Sequence, residues 1–401
     1  MTYKELLSLY KNGKLDDTQK KKLEEDIERQ EAISDFLFEN DEIPKLDDVS
    51  FDLKTDYKTD DFDEKRFKKM IKKSIRRAFI KLGVVIGIIV LVLVIVANNV
   101  LPKVVGSRHY NPTKIVGETE SGAETSRLSL DTAVYTELFT PGYYRTHAYA
   151  AHEGYGKYNI EIFQNFSYNG QFKNSYGTIN KGKLTLFDDV VFKLPTGNAF
   201  AGEETKGLIG FYGTGAAGDK ENSLAKLNNL DDNDYFVTYV TLDKVMSYDE
   251  LVQWSEKNNV EPHWSAVCRY QGMEENTYVA NDILGLHLLS GSSEMSYDKE
   301  KYPYLNFFDV VGTVKTNETK TYSADVMEQH MTSMLRYIKD NKEFRNMVGC
   351  VISDYELQMY IDSIEEYGLF TYGFVITAQK DEILEISKTE NVSYIYATPL
   401  M

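Results

Sequence analysis

The stretch KRFKKMIKKSIRRAFIKLGVVIGIIVLVLVIVANNVLP, residues 65–102, decides the organisation of this chain. Residues 65–81 hold nine basic side chains and no acidic one, and the run from Leu82 to Leu101 carries no charged side chain. Twenty residues of α-helix rise by about 30 Å, which is the thickness of the hydrocarbon core of a bilayer. A helix in the core of a soluble domain would keep a polar face, and Val84 to Val96 has none. The stretch therefore predicts one transmembrane helix at residues 82–101.

A secretory signal peptide is the main alternative to a membrane anchor. A signal peptide begins close to the N-terminus, whereas about 80 residues precede this apolar run. Lys and Arg cluster on the cytoplasmic flank of a spanning helix. We therefore expect residues 1–81 on the cytoplasmic side and residues 102–401 outside the cell membrane. The basic juxtamembrane segment, residues 65–81, also suits the anionic inner leaflet.

The 401 residues are enough for two or three domains, and their net charge of −17 is unevenly distributed. Residues 1–64 have a net charge of −10, residues 65–81 of +9 and residues 82–401 of −16. A chain with this excess of negative charge binds phosphate groups poorly, and we therefore expect no direct binding of nucleic acid. The one basic block has a sufficient explanation in the membrane beside it.

Residues 1–40 have the pattern of a small helical module. Apolar residues recur at helical spacing in two segments, separated by Gly13 as a helix stop and by a capping box of Asp16 and Gln19. The module is too small to bury its apolar stripes well, so we expect it to complete its core on a partner. A self-contained pair of helices without a partner is the alternative. The predicted partner-binding residues are Tyr3, Leu6, Leu7, Tyr10, Leu23, Ile27, Phe36 and Leu37.

The stretch LLSLYKNGKLDDTQKKKLEEDIERQ, residues 6–30, resembles the anti-sigma domain. The pattern of that family is a short helix, a YxxGxL turn and an acidic helix, often with a zinc motif HxxxCxxC. The three metal positions are here Asp26, Gln30 and Ile33, so the resemblance implies a version without zinc, and we expect no cofactor. The following stretch, residues 62–93, resembles the N-terminal region of sigma factor regulators, which pairs a basic helix with one membrane span.

The remaining segments before residue 226 are predicted from composition and alternation. Residues 41–64 are acidic and aperiodic, as in a flexible linker. Residues 102–127 are polar, and we expect a stalk there. Residues 128–225 are expected to be rich in strands, because apolar and polar residues alternate in two short runs and Asn169–Gly170 is a hairpin signal.

Residues 226–401 contain two strand–helix–strand patterns, which favour an α+β sandwich. Ser247 and Glu250 form a capping box in the first pattern. Between the two patterns, five residues at helical spacing predict a helix that packs into the core. These residues are Met327, Met331, Met334, Leu335 and Ile338. The pieces YFVTYVTLDKVMSYDELVQW, MLRYIKDN and FTYGFVITAQKDEILEI resemble the C-terminal domain of sigma factor regulators.

Motifs for catalysis are weak, and we expect no enzymatic activity. GTGAAG at residues 213–218 fits GxGxxG, but a dinucleotide site also needs a preceding strand, a helix that opens on the glycines and a later acid. The six histidines form no close ligand pair, and no GxSxG elbow is present. Two alternatives are open for Cys268 and Cys350: they are joined in one disulfide, or each is a buried thiol.

The expected architecture is multidomain: a small all-α cytoplasmic module, one transmembrane helix and an α+β extracytoplasmic region. The resemblances imply a single-pass membrane anti-sigma factor, whose cytoplasmic helices bind a sigma factor. Its outer region would sense an envelope signal or bind a partner in the membrane or envelope. An outward-facing binding receptor with a passive cytoplasmic tail is the alternative, and an ectoenzyme is a third.

Overall fold

The computed structural model describes residues 3–38, 64–119, 122–166, 172–187, 198–201, 211–212, 220–229, 234–270, 278–279, 283–289, 293–314 and 322–399. The chain divides into two compact units, Met1–Leu82 and Gly83–Met401. The α-helices of the described residues are α1 (Tyr3–Lys11), α2 (Asp17–Phe38), α3 (Glu64–Ile95), α4 (Leu101–Gly106), α5 (Arg127–Phe139), α6 (Asn198–Ala201), α7 (Lys220–Asn228), α8 (Tyr248–Asn258), α9 (Phe307–Val311), α10 (Ala324–Asp340), α11 (Lys342–Val348), α12 (Asp354–Tyr367) and α13 (Lys380–Ser387). The strands are β1 (Ile115–Glu118), β2 (Glu124–Ser126), β3 (Tyr143–Gly154), β4 (Lys157–Phe166), β5 (Phe172–Asn180), β6 (Lys183–Leu186), β7 (Phe211–Tyr212), β8 (Tyr235–Ser247), β9 (Trp264–Val267), β10 (Arg269–Tyr270), β11 (Tyr278–Val279), β12 (Gly285–His287), β13 (Phe370–Gln379) and β14 (Val392–Pro399).

The apolar run forms a long helix. α3 continues through a π-helical turn, Val96–Val100, into α4. The segment Lys72–Gly106 is long and apolar enough to cross a membrane, and none of its most apolar window is buried inside the protein. The expected span, residues 82–101, lies within this segment.

The central sheet of the second unit has five strands in the order β12-β9-β13-β8-β14, and every neighbouring pair is antiparallel. α8 joins β8 to β9, which lies on the far side of β13, and α13 joins β13 to β14, which lies on the far side of β8. The two strand–helix–strand units that the sequence predicted are therefore interleaved, as in the split βαβ arrangement of ferredoxin-like folds. The connection between β9 and β13 carries α9 to α12.

Both faces of this sheet are covered because its central strands are apolar on both sides. On one face, Leu251 of α8 and Ile383 of α13 pack with Phe374. On the other face, Phe200 of α6 lies against β13. A Cβ at Gly373 would meet the ring of Phe200 at 2.9 Å, so a glycine is required for this close approach.

A second sheet of four strands, β3-β4-β5-β6, is an antiparallel meander. The pairs Tyr155–Gly156 and Lys181–Gly182 connect its outer hairpins, and both residues of each pair have positive φ. Such pairs form the type I′ turns that match the twist of antiparallel strands. Asn169–Gly170 lies between β4 and β5, outside the described residues.

Two expectations for residues 102–225 are wrong in part. Strands were expected from Leu128, but Arg127–Phe139 is the helix α5. Ten of its 13 residues are buried, so the helix has no polar face that would have given its sequence a helical period. The expected stalk also differs, because Tyr110 is fully buried and β1 pairs with β2. This segment is part of the folded unit and not a spacer.

The methionine stripe is core, as expected. All five residues of the stripe have no exposed surface, and they pack in the largest apolar cluster of the second unit together with α5 and α12. Cys268 is buried and Cys350 is half-buried, and no disulfide joins these two described residues. The glycine-rich segment 213–218 and most of the expected linker lie outside the described residues.

Candidate functional site

The turn between α1 and α2 uses the residues that predicted it. Gly13 has a φ of +64°, which glycine adopts without strain, and its N–H donates to the carbonyl oxygen of Tyr10 at 3.0 Å. The N–H of Gln19 donates to Oδ1 of Asp16 at 2.7 Å. Asp16 therefore caps α2, because its carboxylate satisfies a backbone donor that has no partner within the helix.

The described side chains of the N-terminal helix pair, α1 and α2, leave apolar surface open. Leu7, Tyr10 and Ile27 are 41%, 37% and 38% exposed. Leu6 is half-buried, and Leu23 is buried. The sequence predicted all five as a partner-binding surface; the structure encloses Leu23 and leaves the other four available in part.

The other predicted partner-binding residues are in the same helices. Tyr3 belongs to α1, and Phe36 and Leu37 belong to α2, but their side chains lie outside the described part of the structure. The same holds for Gln30 and Ile33 at the positions of the family's zinc ligands. The absence of zinc from this module therefore stays a prediction.

Carboxylates lie near two of the open apolar side chains, Tyr10 and Ile27. Residues 23–28, LEEDIE, place four acidic residues beside Leu23 and Ile27. The hydroxyl of Tyr10 donates to Oε1 of Glu24 at 2.9 Å, and this hydrogen bond to a carboxylate raises the pKa of Tyr10. The surface thus combines apolar anchors with negative charge.

The second unit contains a buried cluster of titratable groups around Glu137 of α5. Nε2 of His330 lies 2.7 Å from Oε1 of Glu137, and Nδ1 of His330 lies 2.5 Å from the carbonyl oxygen of Tyr304. The imidazole therefore lies between two oxygen acceptors, a carboxylate and a backbone carbonyl. Burial alone would raise the pKa of Glu137, but the nearby His330 and His287 outweigh burial and lower that pKa.

His287 extends this cluster towards the sheets. Its Nε2 donates to the carbonyl oxygen of Tyr143 at 2.8 Å, and its Nδ1 lies 3.9 Å from Glu137. Burial lowers the pKa of His287, and burial together with His287 lowers the pKa of His263 to about 4. Nε1 of Trp264 donates to the backbone carbonyl of Glu137 at 2.7 Å. The cluster joins α5 to β3, β9, β12 and α10, and its burial makes it a structural cross-link.

Asp131 is the second buried carboxylate of α5. It accepts hydrogen bonds from the hydroxyls of Tyr110 and Tyr337, both at 2.7 Å, and Nε of Arg127 lies 3.6 Å away. Burial raises the pKa of Asp131 to about 6, although these three neighbours lower it. Sequence analysis missed both carboxylates because it assigned this segment to strands. Two acids inside the apolar stretch LSLDTAVYTELF were the available signal, since a buried acid needs partners.

One exposed face of the second unit is aromatic. Tyr149, Tyr176 and Phe187 are exposed on the outer face of the β3–β6 sheet. Tyr149 is opposite Glu161, Glu161 is opposite Tyr176, and the N–H of Phe187 donates to the carbonyl of Tyr176 at 2.9 Å. The four side chains therefore form one row across the sheet. Large exposed apolar patches often mark interaction sites.

Comparison with known proteins identifies the region that contains the five-stranded sheet. The model of the family named sigma factor regulator C-terminal matches residues 227–396, a range that holds α8 to α13. This match supports the anti-sigma regulator family and confirms the resemblance stated for the C-terminal region. No curated protein and no solved structure matches the chain. The two resemblances in the N-terminal part stay predictions.

Proposed function

We propose that this protein is a single-pass membrane anti-sigma factor. Its N-terminal helix pair would sequester a sigma factor in the cytoplasm, and its outer unit would sense an envelope signal or partner. The family match over residues 227–396 supports a regulatory role linked to sigma factors. The observation that carries sequestration is the open apolar surface of Leu7, Tyr10 and Ile27 in a helix pair whose described side chains include few buried apolar residues.

The physical basis of binding is burial of this surface on the partner. Apolar anchors supply affinity when they fill pockets that exclude water. The acidic residues of the segment 23–28 would favour, by charge complementarity, a partner with a basic surface. A DNA-binding factor has such a surface. A sigma factor bound in this way could not reach RNA polymerase.

Sidedness is proposed from the distribution of charge around α3. Residues 65–81 carry nine basic side chains and no acidic one, which favours the cytoplasm for everything before the apolar run. We expect a cytoplasm-active reporter to function when it is fused at residue 60, and an export-dependent reporter to function at residue 401. The opposite pair of signals would contradict the orientation.

The exposed aromatic row of β3 to β6 supports the second half of the proposal. Tyr149, Tyr176 and Phe187 give the outer unit a surface on which a partner in the membrane or envelope could bind. The same row would serve an outward-facing receptor with a passive cytoplasmic tail, which is the alternative function. The two functions differ in whether the N-terminal helix pair has a task.

The decisive experiment removes the open apolar surface without touching the core of the pair. We expect Leu7→Ala combined with Ile27→Ala to derepress the genes of the partner sigma factor, while the full chain stays in the membrane at normal abundance. An apolar truncation in a core costs about 2–5 kcal/mol, which corresponds to a loss of binding of about thirtyfold to a few thousandfold. Reporter transcription and immunoblotting of membranes measure the two quantities.

The matched control is Lys14→Ala combined with Lys21→Ala, which removes two exposed charges from the same module. We expect this variant to repress like the wild type. If the apolar double variant also represses like the wild type at equal abundance, the helix pair is not the inhibitory surface, and the passive-tail receptor becomes the better function.

A further inference from the structure

Near the end of the apolar helix, a side chain from the β3–β4 turn forms a hydrogen bond with a backbone carbonyl of the helix. In the π-helical turn, the N–H of Leu101 donates to the carbonyl of Val96 and not to that of Ala97. The carbonyl of Ala97 is thereby released from the helix, and the hydroxyl of Tyr155 donates to it at 2.5 Å. π-helical turns of this kind are frequent at functional sites.

The turn that carries Tyr155 is itself unusual. Gly154, Tyr155 and Gly156 have φ values of +99°, +53° and +75°. A tyrosine in the left-handed region is sterically disfavoured, so the surrounding structure must hold it there. A Cβ added at Gly106 would lie 3.9 Å from Cα of Gly156, which shows how closely this turn packs on the end of α4.

The second hairpin turn adjoins the first. The N–H of Lys181 donates to the carbonyl of Gly156 at 2.8 Å. A Cβ added at Gly182 would lie 4.0 Å from the backbone nitrogen of Tyr110. The segments 154–157 and 181–183 thus pack against the segment 101–110, which contains the end of the helix, and we call these three segments the collar.

The collar is basic in a unit that is acidic. Its three segments contain five basic residues and no acidic one, whereas residues 82–401 have a net charge of −16. All five basic side chains are exposed. They are Lys103, Arg108, Lys157, Lys181 and Lys183. Glu153, which precedes the first turn, forms an ion pair with Lys157 at 2.6 Å. This pair neutralises one of the five positive charges of the collar, and an excess of four remains.

We propose that the collar binds the headgroups of anionic phospholipids at the membrane surface where the helix ends. The inference rests on the membrane span of the proposed function. Lys103 follows Leu101 by about 3 Å of helix axis, within the headgroup layer that flanks the hydrocarbon core. Tyrosines are enriched at this level, and Lys and Arg are attracted to anionic lipid surfaces. Lipid binding at both turns would hold the second unit against the bilayer in a fixed orientation.

The test uses the full chain in lipid nanodiscs of phosphatidylcholine alone or of an equal mixture with phosphatidylglycerol. A water-soluble amine-acylating reagent and mass spectrometry give the reactivity of each lysine. We expect Lys103, Lys157, Lys181 and Lys183 to react about fivefold more slowly in the anionic discs, the factor that corresponds to the attraction of one lysine near such a surface. Lys257 of α8, which is exposed outside the collar, should react equally in both discs.

A variant separates lipid binding from simple shielding. Lys181→Asn with Lys183→Gln keeps a residue that tolerates positive φ at position 181. This variant should lose most of the protection at Lys103 and Lys157 in anionic discs, whereas Lys257→Gln should lose none.

Three outcomes would overturn the proposal. Equal reactivity of the collar lysines in both discs, with the chain inserted, would show that the collar does not recognise anionic lipid. Equal protection by inorganic phosphate in neutral discs would make the collar a site for free phosphate. Failure of the chain to insert into either disc would overturn the membrane span together with the collar. Sigma factor sequestration is tested separately by the variants of Leu7 and Ile27.

Discussion

Few of the described apolar side chains of the N-terminal helix pair are buried, whereas the second unit has a large buried apolar core. Among the described side chains of α1 and α2, Leu23 is buried, and Leu7 and Ile27 keep about two fifths of their surface in water. In α10 of the second unit, Met327 and Leu335 have no exposed surface. The difference follows from size, because a short module has too little interior to repay its loss of chain entropy.

The same contrast holds for the acidic residues. Glu24 of the helix pair is exposed and bonded to Tyr10, while Asp131 and Glu137 of the second unit are buried with several partners. Exposed carboxylates stay available to a partner. Buried carboxylates must be paired within the fold, and they then fix the elements that supply the partners. This difference is consistent with the binding role proposed for the first region, whereas the buried carboxylates of the second unit cross-link its elements.

The largest expected effect on stability comes from a substitution that breaks the cross-link at Glu137. Glu137→Leu leaves His330 buried with a donor nitrogen and no acceptor, and removing one member of a buried pair costs about 3–5 kcal/mol. We expect a strong fall in the midpoint of thermal unfolding of the full chain in detergent. Glu137→Gln, which keeps an oxygen acceptor for Nε2 of His330, should fall less.

Glu256→Leu is the matched control, because Glu256 is an exposed residue of α8. Its midpoint should stay that of the wild type. If Glu137→Leu also unfolds at the wild-type midpoint, the cluster is not a cross-link, and the contrast between the two regions loses its electrostatic part.

A smaller effect concerns the dependence of stability on pH. The pKa of Asp131 rises from an ordinary value of 3.8 to about 6 on folding. The folded state therefore holds this proton more tightly than the unfolded state, and Asp131 contributes stability that is present below pH 3.8 and lost as pH rises through about 6. His263, whose pKa folding lowers from 6.5 to about 4, contributes with the opposite sign, since stability is lost as pH falls through that range.

Asp131→Asn should therefore remove one of the two opposing contributions to the pH dependence of stability. The variant loses a hydrogen bond from Tyr110 or Tyr337 and should be less stable by about 1 kcal/mol at low pH. Its unfolding midpoint should then rise more steeply than that of the wild type as pH increases from 4 to 6, because the titration of Asp131 no longer opposes that of His263. Parallel midpoint curves for the two proteins would show that Asp131 does not titrate with a raised pKa.

The smallest expected effect sharpens the contrast in the helix pair. Leu7→Ala with Ile27→Ala removes surface that is already partly in water, and alanine is a good helix former. We expect circular dichroism of residues 1–64 to show the same helix content for this variant and the wild type. A large loss of helix would mean that the pair is a closed module whose core these residues complete, and repression data on the variant would then report misfolding.

Local features of this protein were determined by the sequence alone. The apolar run from Leu82 to Leu101 gives a helix long enough for a bilayer, since length and composition depend on nothing else in the chain. Gly13 ends α1 through its backbone conformation, and Asp16 begins α2 as its cap. Both effects act within a few residues of the chain. The stripe of α10 showed its buried face because its opposite face is polar, so the helical period is visible.

Tertiary structure decided the features in which distant segments complete one another. α5 is buried on nearly all sides by elements that lie far from it in the sequence, and such a helix shows no period. The interleaving of β8, β9, β13 and β14 depends on long-range strand pairing, which local patterns do not encode. The collar gathers basic residues from three segments that are separately unremarkable. Their shared position arises only because Tyr155 and Lys181 bond to backbone carbonyls that the folded chain brings together.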